Sequence, residues 1–184
     1  SPGIDAARIR PGDRVLVSGP LGAHGLAVLA AREALPVGDA VRSDCAFLHP
    51  LCERLYGLGA DLRFLRDATR GGLAAVLNEA AADAALAMLV REERVPVDDT
   101  VAKAAEILGL DPLEIANEGV LVAVVCREQA GEAVRRLRAD PLGLQAAEIG
   151  EVTDGPSGRV LLETRIGGRR VLPMPRGLLL PRIC

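Results

Sequence analysis

Residues 119–126, GVLVAVVC, are an unbroken apolar run set between the polar turn IANE and a charged segment opening REQ. The run is well short of the roughly 18 residues that a membrane span needs, and no longer apolar run occurs in the chain. Rich in Val, it predicts a central strand, and a strand that is apolar along its whole length needs cover on both faces.

The rest of the chain supplies that cover. RVLVSG (14–19) and LAMLVRE (86–92) read as strands, while HGLAVLAAREAL (24–35), GGLAAVLNEAAADA (71–84), VDDTVAKAAEILG (97–109) and REQAGEAVRRLRAD (127–140) read as helices. Asp98 or Asp99 opens the third helix and Gly109 closes it. In RSDCAFLHPLCERLYGLG (42–59), Ser43 and Asp44 are expected to cap a further helix, although Pro50 limits where its first turn lies. DLRFLRD (61–67) is extended or irregular, and AAEIGEV, GRVLLET and RRVLP are short extended segments after the last helix. Strands and helices interleave, with a strand-rich end. The expected fold class is therefore α/β (α+β), a mixed β-sheet covered by helices, with no internal repeat.

Composition narrows the partners. The chain of 184 residues is 49% hydrophobic but 2% aromatic with no Trp, so the core is built from Leu, Val, Ile and Ala and little aromatic surface is left for stacking bases. A net charge of −3 provides no basic excess, which argues against nucleic-acid binding. Four cysteines (Cys45, Cys52, Cys126, Cys184) form no evenly spaced framework, and a reducing cytoplasm is the expected compartment. Residues 1–12 read as the remnant of an interdomain linker, 13–172 as one α/β domain, and 173–184 as a flexible tail that Pro173, Pro175 and Pro181 keep from becoming a helix.

Several stretches carry chemistry. RDATRGG (66–72) places Asp67, Thr69 and Arg70 before Gly71 and a helix start, where an anion is favoured and Arg70 can grip phosphate; a tight turn with a capping Asp is the plain alternative. Asn117 and Glu118 stand at a glycine turn leading into the apolar strand, where a carboxylate is either a general base or an ordinary turn residue. SGPLGAHG (18–25) is a glycine-rich turn containing His24. Cys45, His49 and Cys52 are spaced to share a helix face, with Cys126 a conceivable fourth ligand, but Pro50 interrupts the spacing and thiols commonly fill cores, so no metal site is expected. The chain finishes GLLLPRIC. Prenylation needs a cysteine fourth from the end, so Cys184 is left as a nucleophile or an accident.

Taken together, GDRVLVSGPLGAHG, RDATRGGLAAVLNEAA, ILGLDPLEIANEG and the terminal LPRIC resemble the hydrogenase maturation family HypE, the carbamoyl dehydratases of nickel-iron hydrogenase assembly, in order along essentially the whole chain. The internal motifs are shared with the wider aminoimidazole-ribotide synthetase and selenophosphate synthetase superfamily; the PRIC tail singles out HypE. The resemblance implies a C-terminal domain whose N-terminal companion binds most of the ATP and Mg and forms a homodimer. It implies that Cys184 accepts a carbamoyl group from the carbamoyltransferase HypF, and that ATP drives its dehydration to a thiocyanate. The cyanide then passes to iron on the HypC–HypD scaffold. Glu118 is implied as the base with Asn117 beside it, and Asp67, Thr69, Arg70 and Gly71 as the phosphate-binding turn. A selenophosphate synthetase-like enzyme and a non-catalytic docking domain are the alternatives. Two positions depart from the family pattern: Ala23 stands where an aspartate is expected, and Ala68, where a proline is expected, should do no more than loosen the backbone.

Overall fold

The computed structural model describes residues 3–33 and 40–175. Seven strands, β1 (Arg14–Val17), β2 (Leu62–Asp67), β3 (Ala87–Arg91), β4 (Leu121–Val125), β5 (Ala147–Thr153), β6 (Val160–Glu163) and β7 (Arg169–Val171), form one mixed sheet in the order β2-β4-β1-β5-β3-β6-β7. Neighbours run antiparallel except β3 and β6, which are parallel. Among the described residues five α-helices accompany it: α1 (Ala23–Arg32), α2 (His49–Tyr56), α3 (Gly72–Ala84), α4 (Asp99–Leu108) and α5 (Ala130–Arg138).

The apolar run becomes β4, buried at every residue and placed between β2 and β1. Side chains alternate across a strand, so its residues feed two cores. Val122 and Val124 join Val15 and Val17 of β1 on the face covered by α3, with Leu73, Val76, Leu77 and Ala80 packed against them. Leu121, Ala123 and Val125 join Leu16 on the opposite face under α2 and α5, through Leu51, Leu55, Ala133 and Leu137. A third cluster binds α1 to α4 through Ala23, Leu26, Val101 and Ala104.

Most elements follow their local sequence. α4 has Asp98 at its N-cap in extended conformation, although its side chain makes no cap bond, and ends at Gly109 in the left-handed region, φ 67°. The segment 42–59 differs. α2 begins only at His49, with Pro50 in its first turn and Leu48 at the N-cap, so Ser43 and Asp44 do not cap it. A cap must lie directly before the first turn, and Pro50, which fits a first turn, fixes the cap position at Leu48, four residues after Asp44 and five after Ser43. Residues within the expected linker remnant also join the domain: Ala6 and Ile9 are buried in the main core, and Gly12 N–H donates to Val152 at 2.8 Å.

Candidate functional site

Topology gathers the motifs. β1 and β2 both run antiparallel to the intervening β4, with Val17 opposite Val122 and Asp67 opposite Leu121. The turns leaving β1 and β2 and the turn entering β4 therefore share one end of the sheet. These are SGPLGAHG, DATRGG and ANEG.

Asn117 holds the three turns together. Its side chain is fully buried; Oδ1 accepts the Gly22 amide at 2.7 Å, while Nδ2 donates to the carbonyls of Ile115 at 3.0 Å and Ala68 at 3.2 Å. The Asn117 amide also donates to Ala68 at 3.0 Å, and the Gly25 amide to Ala116 at 3.0 Å. The approach is close enough to dictate glycine: at Gly72, φ 60°, a Cβ would stand 2.5 Å from the Ile115 oxygen.

Ala68 does not loosen this arrangement. It is fully buried, and its N–H, which a proline would lack, donates to the Val120 carbonyl at 2.9 Å, so alanine adds a tie at this position. Ala23 is the first residue of α1 and is 9% exposed, its methyl group packed in the cluster between α1 and α4.

Glu118, next to the buried Asn117, is exposed. Its amide donates to Asp44 Oδ1 at 3.0 Å. The Asp44 main chain is wedged against the same turn, its carbonyl oxygen 1.8 Å from where a Cβ on Gly119 would be. Burial pushes the Asp44 carboxyl above its ordinary value of 3.8, opposed by the Glu118 amide and by the charge of His24. His24 is itself 9% exposed, with Nδ1 at 2.8 Å from Ser43 Oγ, and Ser43 Oγ accepts the Cys45 amide at 3.1 Å. Among the described residues, Asp44 Oδ2 and His24 Nε2 are buried without a hydrogen-bond partner. Ser43 and Asp44 thus belong to the site, a role the sequence reading missed; their distance from Pro50 was the available signal.

The DATRGG turn lies alongside. Asp67 ends β2 and is exposed, Thr69 is half-buried, Gly71 has φ 71°, and Arg70 is exposed with no ion pair among the described residues. Two early amides of α3 are already used, Gly72 toward the Thr69 carbonyl at 3.3 Å and Ala74 toward Leu113 at 2.8 Å. Arg70 is the exposed cation of this turn. Among the described residues no three His, Cys, Asp or Glu side chains form a group able to hold a metal ion. Cys45 precedes α2 and is exposed, His49 is exposed beside Glu53, and Cys52 and Cys126 have thiols pushed up by burial. Cys184 lies outside the described residues. The chain approaches the site again at Pro175, whose Cγ is 3.5 Å from a Cβ position on Gly71, after Asn78 Nδ2 donates to the Leu172 carbonyl at 3.1 Å.

Residues 10–163 match the family model described as AIR synthase related protein, C-terminal domain. The chain belongs to that family. Among relatives of this AIR synthase-related domain, carbamoyl dehydratase HypE of Bradyrhizobium diazoefficiens is 47% identical over 182 residues, covering 98% of this chain and 53% of that protein. Two solved structures are also similar. The crystal structure of hydrogenase maturation protein HypE in complex with ATP has TM-score 0.90 and 41% identity, covering 95% of this chain and 54% of that one. The HypE–HypF complex has TM-score 0.89 and 40% identity, covering 93% and 55%. The chain spans about half the length of the curated relatives it matches. No helix among the described residues is long and apolar enough to cross a membrane.

Proposed function

We propose that this chain is the C-terminal part of an ATP-dependent carbamoyl dehydratase of nickel-iron hydrogenase maturation. The observation that carries the reading is the 47% identity, sustained over 98% of the chain, to a protein named carbamoyl dehydratase HypE. In this reading Cys184 accepts a carbamoyl group on sulfur, and loss of the elements of water leaves a thiocyanate that donates cyanide to iron.

The chemistry assigns work to each group. A thiolate is a strong nucleophile toward an activated carbamoyl carbon. ATP, bound mostly by an N-terminal domain together with Mg, supplies activation of the amide oxygen, otherwise a poor leaving group. Two protons must leave the carbamoyl nitrogen, and Glu118, exposed on a turn held by its backbone, is the base that takes them. Arg70 offers its planar fork to phosphate, with Asp67, Thr69 and Gly71 shaping the turn. Asn117 keeps the base turn and the phosphate turn in register. Eight residues lie between Pro175 and Cys184, and the nine residue steps can span at most about 30 Å, so a thiol at that position has reach from the edge of the site.

The reading includes a HypF-type carbamoyltransferase as donor of the carbamoyl group, supported by the likeness to HypE in its complex with HypF. A HypC–HypD scaffold receives the cyanide, and the working protein is a cytoplasmic homodimer. Intact-mass spectrometry of the whole enzyme with the carbamoyltransferase, carbamoyl phosphate and ATP tests it. The expected result is a carbamoyl adduct mapped to Cys184 that becomes lighter by one water when ATP is present. An unmodified Cys184 beside a demonstrably active carbamoyltransferase would sink the reading, and unchanged function after deletion of Cys184 would favour a docking domain.

A further inference from the structure

The turn carrying Glu118 is gripped from two sides. On one side, Asn117 is fully buried and tied to the Gly22 amide and the Ala68 and Ile115 carbonyls. On the other, Asp44 Oδ1 accepts the Glu118 amide at 3.0 Å, and the Asp44 carbonyl fills the space that any side chain at Gly119 would need. Asp44 belongs to neither neighbouring helix. Residues 40–48 have no helical or strand structure, and this stretch reaches the site from 74 residues away in sequence, so the contact is tertiary.

The interior side of Asp44 is equally specific. Among the described residues Oδ2 is buried with no hydrogen-bond partner, and so is Nε2 of His24, whose charge acts on the Asp44 carboxyl. Nδ1 of His24 is occupied by Ser43 Oγ at 2.8 Å, so one ring nitrogen is anchored while the other is buried. Unsatisfied buried polar atoms cost free energy and are uncommon in folded proteins. The two side chains that carry them are linked through Ser43, which adjoins Asp44 in the chain and meets the His24 ring.

We propose that Asp44 is a positioning residue for Glu118, aiming the base through its backbone amide. This rests on the assignment of Glu118 as base. Asp44 touches no reacting atom: it fixes the backbone from which the Glu118 side chain extends, and a base misplaced by about 1 Å loses roughly a hundredfold in rate. Ser43 orients the His24 ring, and Gly119 is required because the Asp44 main chain occupies its side-chain space.

Two measurements test the proposal. In the 184-residue chain, the Glu118 amide proton is followed by NMR as a function of pH. An amide bound to a carboxylate shifts as that carboxylate titrates, and the raised position of Asp44 places the transition above its ordinary 3.8. The shift should vanish in Asp44→Asn, and in His24→Gln it should move to still higher pH, because the opposing charge is gone. A Glu118 amide that ignores the Asp44 carboxyl would overturn the proposal without involving activity. In the whole enzyme, Asp44→Ala should slow single-turnover dehydration of carbamoylated Cys184 about 10- to 100-fold while carbamoyl acceptance stays unchanged. Asp44→Asn, which keeps an acceptor oxygen, should recover most of the loss. Equal loss in both variants, or loss of acceptance together with dehydration, would mean a general structural role and reject positioning. If Glu118→Gln dehydrates normally while the amide titration is as expected, the base assignment fails although the grip on the turn is real.

Discussion

The Oδ1 atom of Asn117 accepts the Gly22 amide at 2.7 Å across 95 residues of sequence, joining the turn after β1 to the turn before β4. The same side chain donates to Ala68, at the turn after β2. One buried amide thus fixes the relative positions of three turns that in sequence lie far apart.

Replacing Asn117 should be costly. Asn117→Ala leaves the Gly22 amide and the Ile115 carbonyl without these partners in a buried setting, and a destabilisation of about 2–4 kcal/mol is expected. Asn117→Asp should be worse at neutral pH, because a carboxylate oxygen would face two carbonyl oxygens in place of the donating NH₂. Urea unfolding of the two variants beside the parent checks the order; Asn117→Asp matching the parent would refute the hydrogen-bond assignment.

Gly119 and Gly131 should respond to alanine with opposite signs. A Cβ at Gly119 meets the Asp44 carbonyl oxygen at 1.8 Å, so the 42–48 segment must move, at a cost of about 3 kcal/mol. Gly131 is exposed in the first turn of α5, and a Cβ there meets nothing within 4 Å. Gly131→Ala should stabilise by about 0.5 kcal/mol through helix propensity. Thermal melts of both variants, run together, test the pair.

These sites also mark how far the sequence could be read. β4 was legible because a Val-rich run permits little else, and α3 because its alanines follow a glycine start. Asn117 and Glu118 stood out as a polar pair before that strand, yet nothing in the order of residues told that Asn117 would be the buried brace and Glu118 the exposed member. Strand order was hidden for the same reason: β1 and β4 are neighbours through pairing between residues more than a hundred positions apart. Ser43 and Asp44 looked like helix caps because capping is a local property of those residue types, whereas their actual partners, His24 and Glu118, are distant. Tertiary hydrogen bonds won over local preference there.

A charged ladder on the sheet sets an acid limit to stability. Glu151 of β5 pairs with Arg14 of β1 and with Arg91 of β3, the latter at 2.7 Å. Burial works to raise the Glu151 carboxyl, and the two guanidinium groups together outweigh it, holding the carboxyl below its ordinary 4.5. A depressed carboxyl contributes stability that is complete above the unfolded value and is lost as pH falls through the lower folded value. Glu151→Gln should therefore cost about 1 kcal/mol at pH 7, with the gap to the parent narrowing below roughly pH 4.5. Denaturation midpoints at pH 7, 5 and 3.5 measure it, and a pH-independent gap would show that packing, not charge, is what Glu151 supplies.

Thiol reactivity should separate the described cysteines in one order. Cys45 is exposed, Cys52 is half-buried and Cys126 is buried, and burial pushes the latter two thiols up. Alkylation proceeds through the thiolate and needs access, so at pH 7.5 Cys45 should be modified first and Cys126 at least about ten times more slowly. The comparison bears on the proposed chemistry, because Cys45 is the described thiol that would compete with Cys184 for an electrophile. Peptide mapping of iodoacetamide adducts over time gives the order, and a Cys45→Ser variant should leave a carbamoyl adduct on Cys184 undiminished. If the variant lost that adduct, Cys45 would be the entry point of the carbamoyl group and the direct transfer to Cys184 would be wrong.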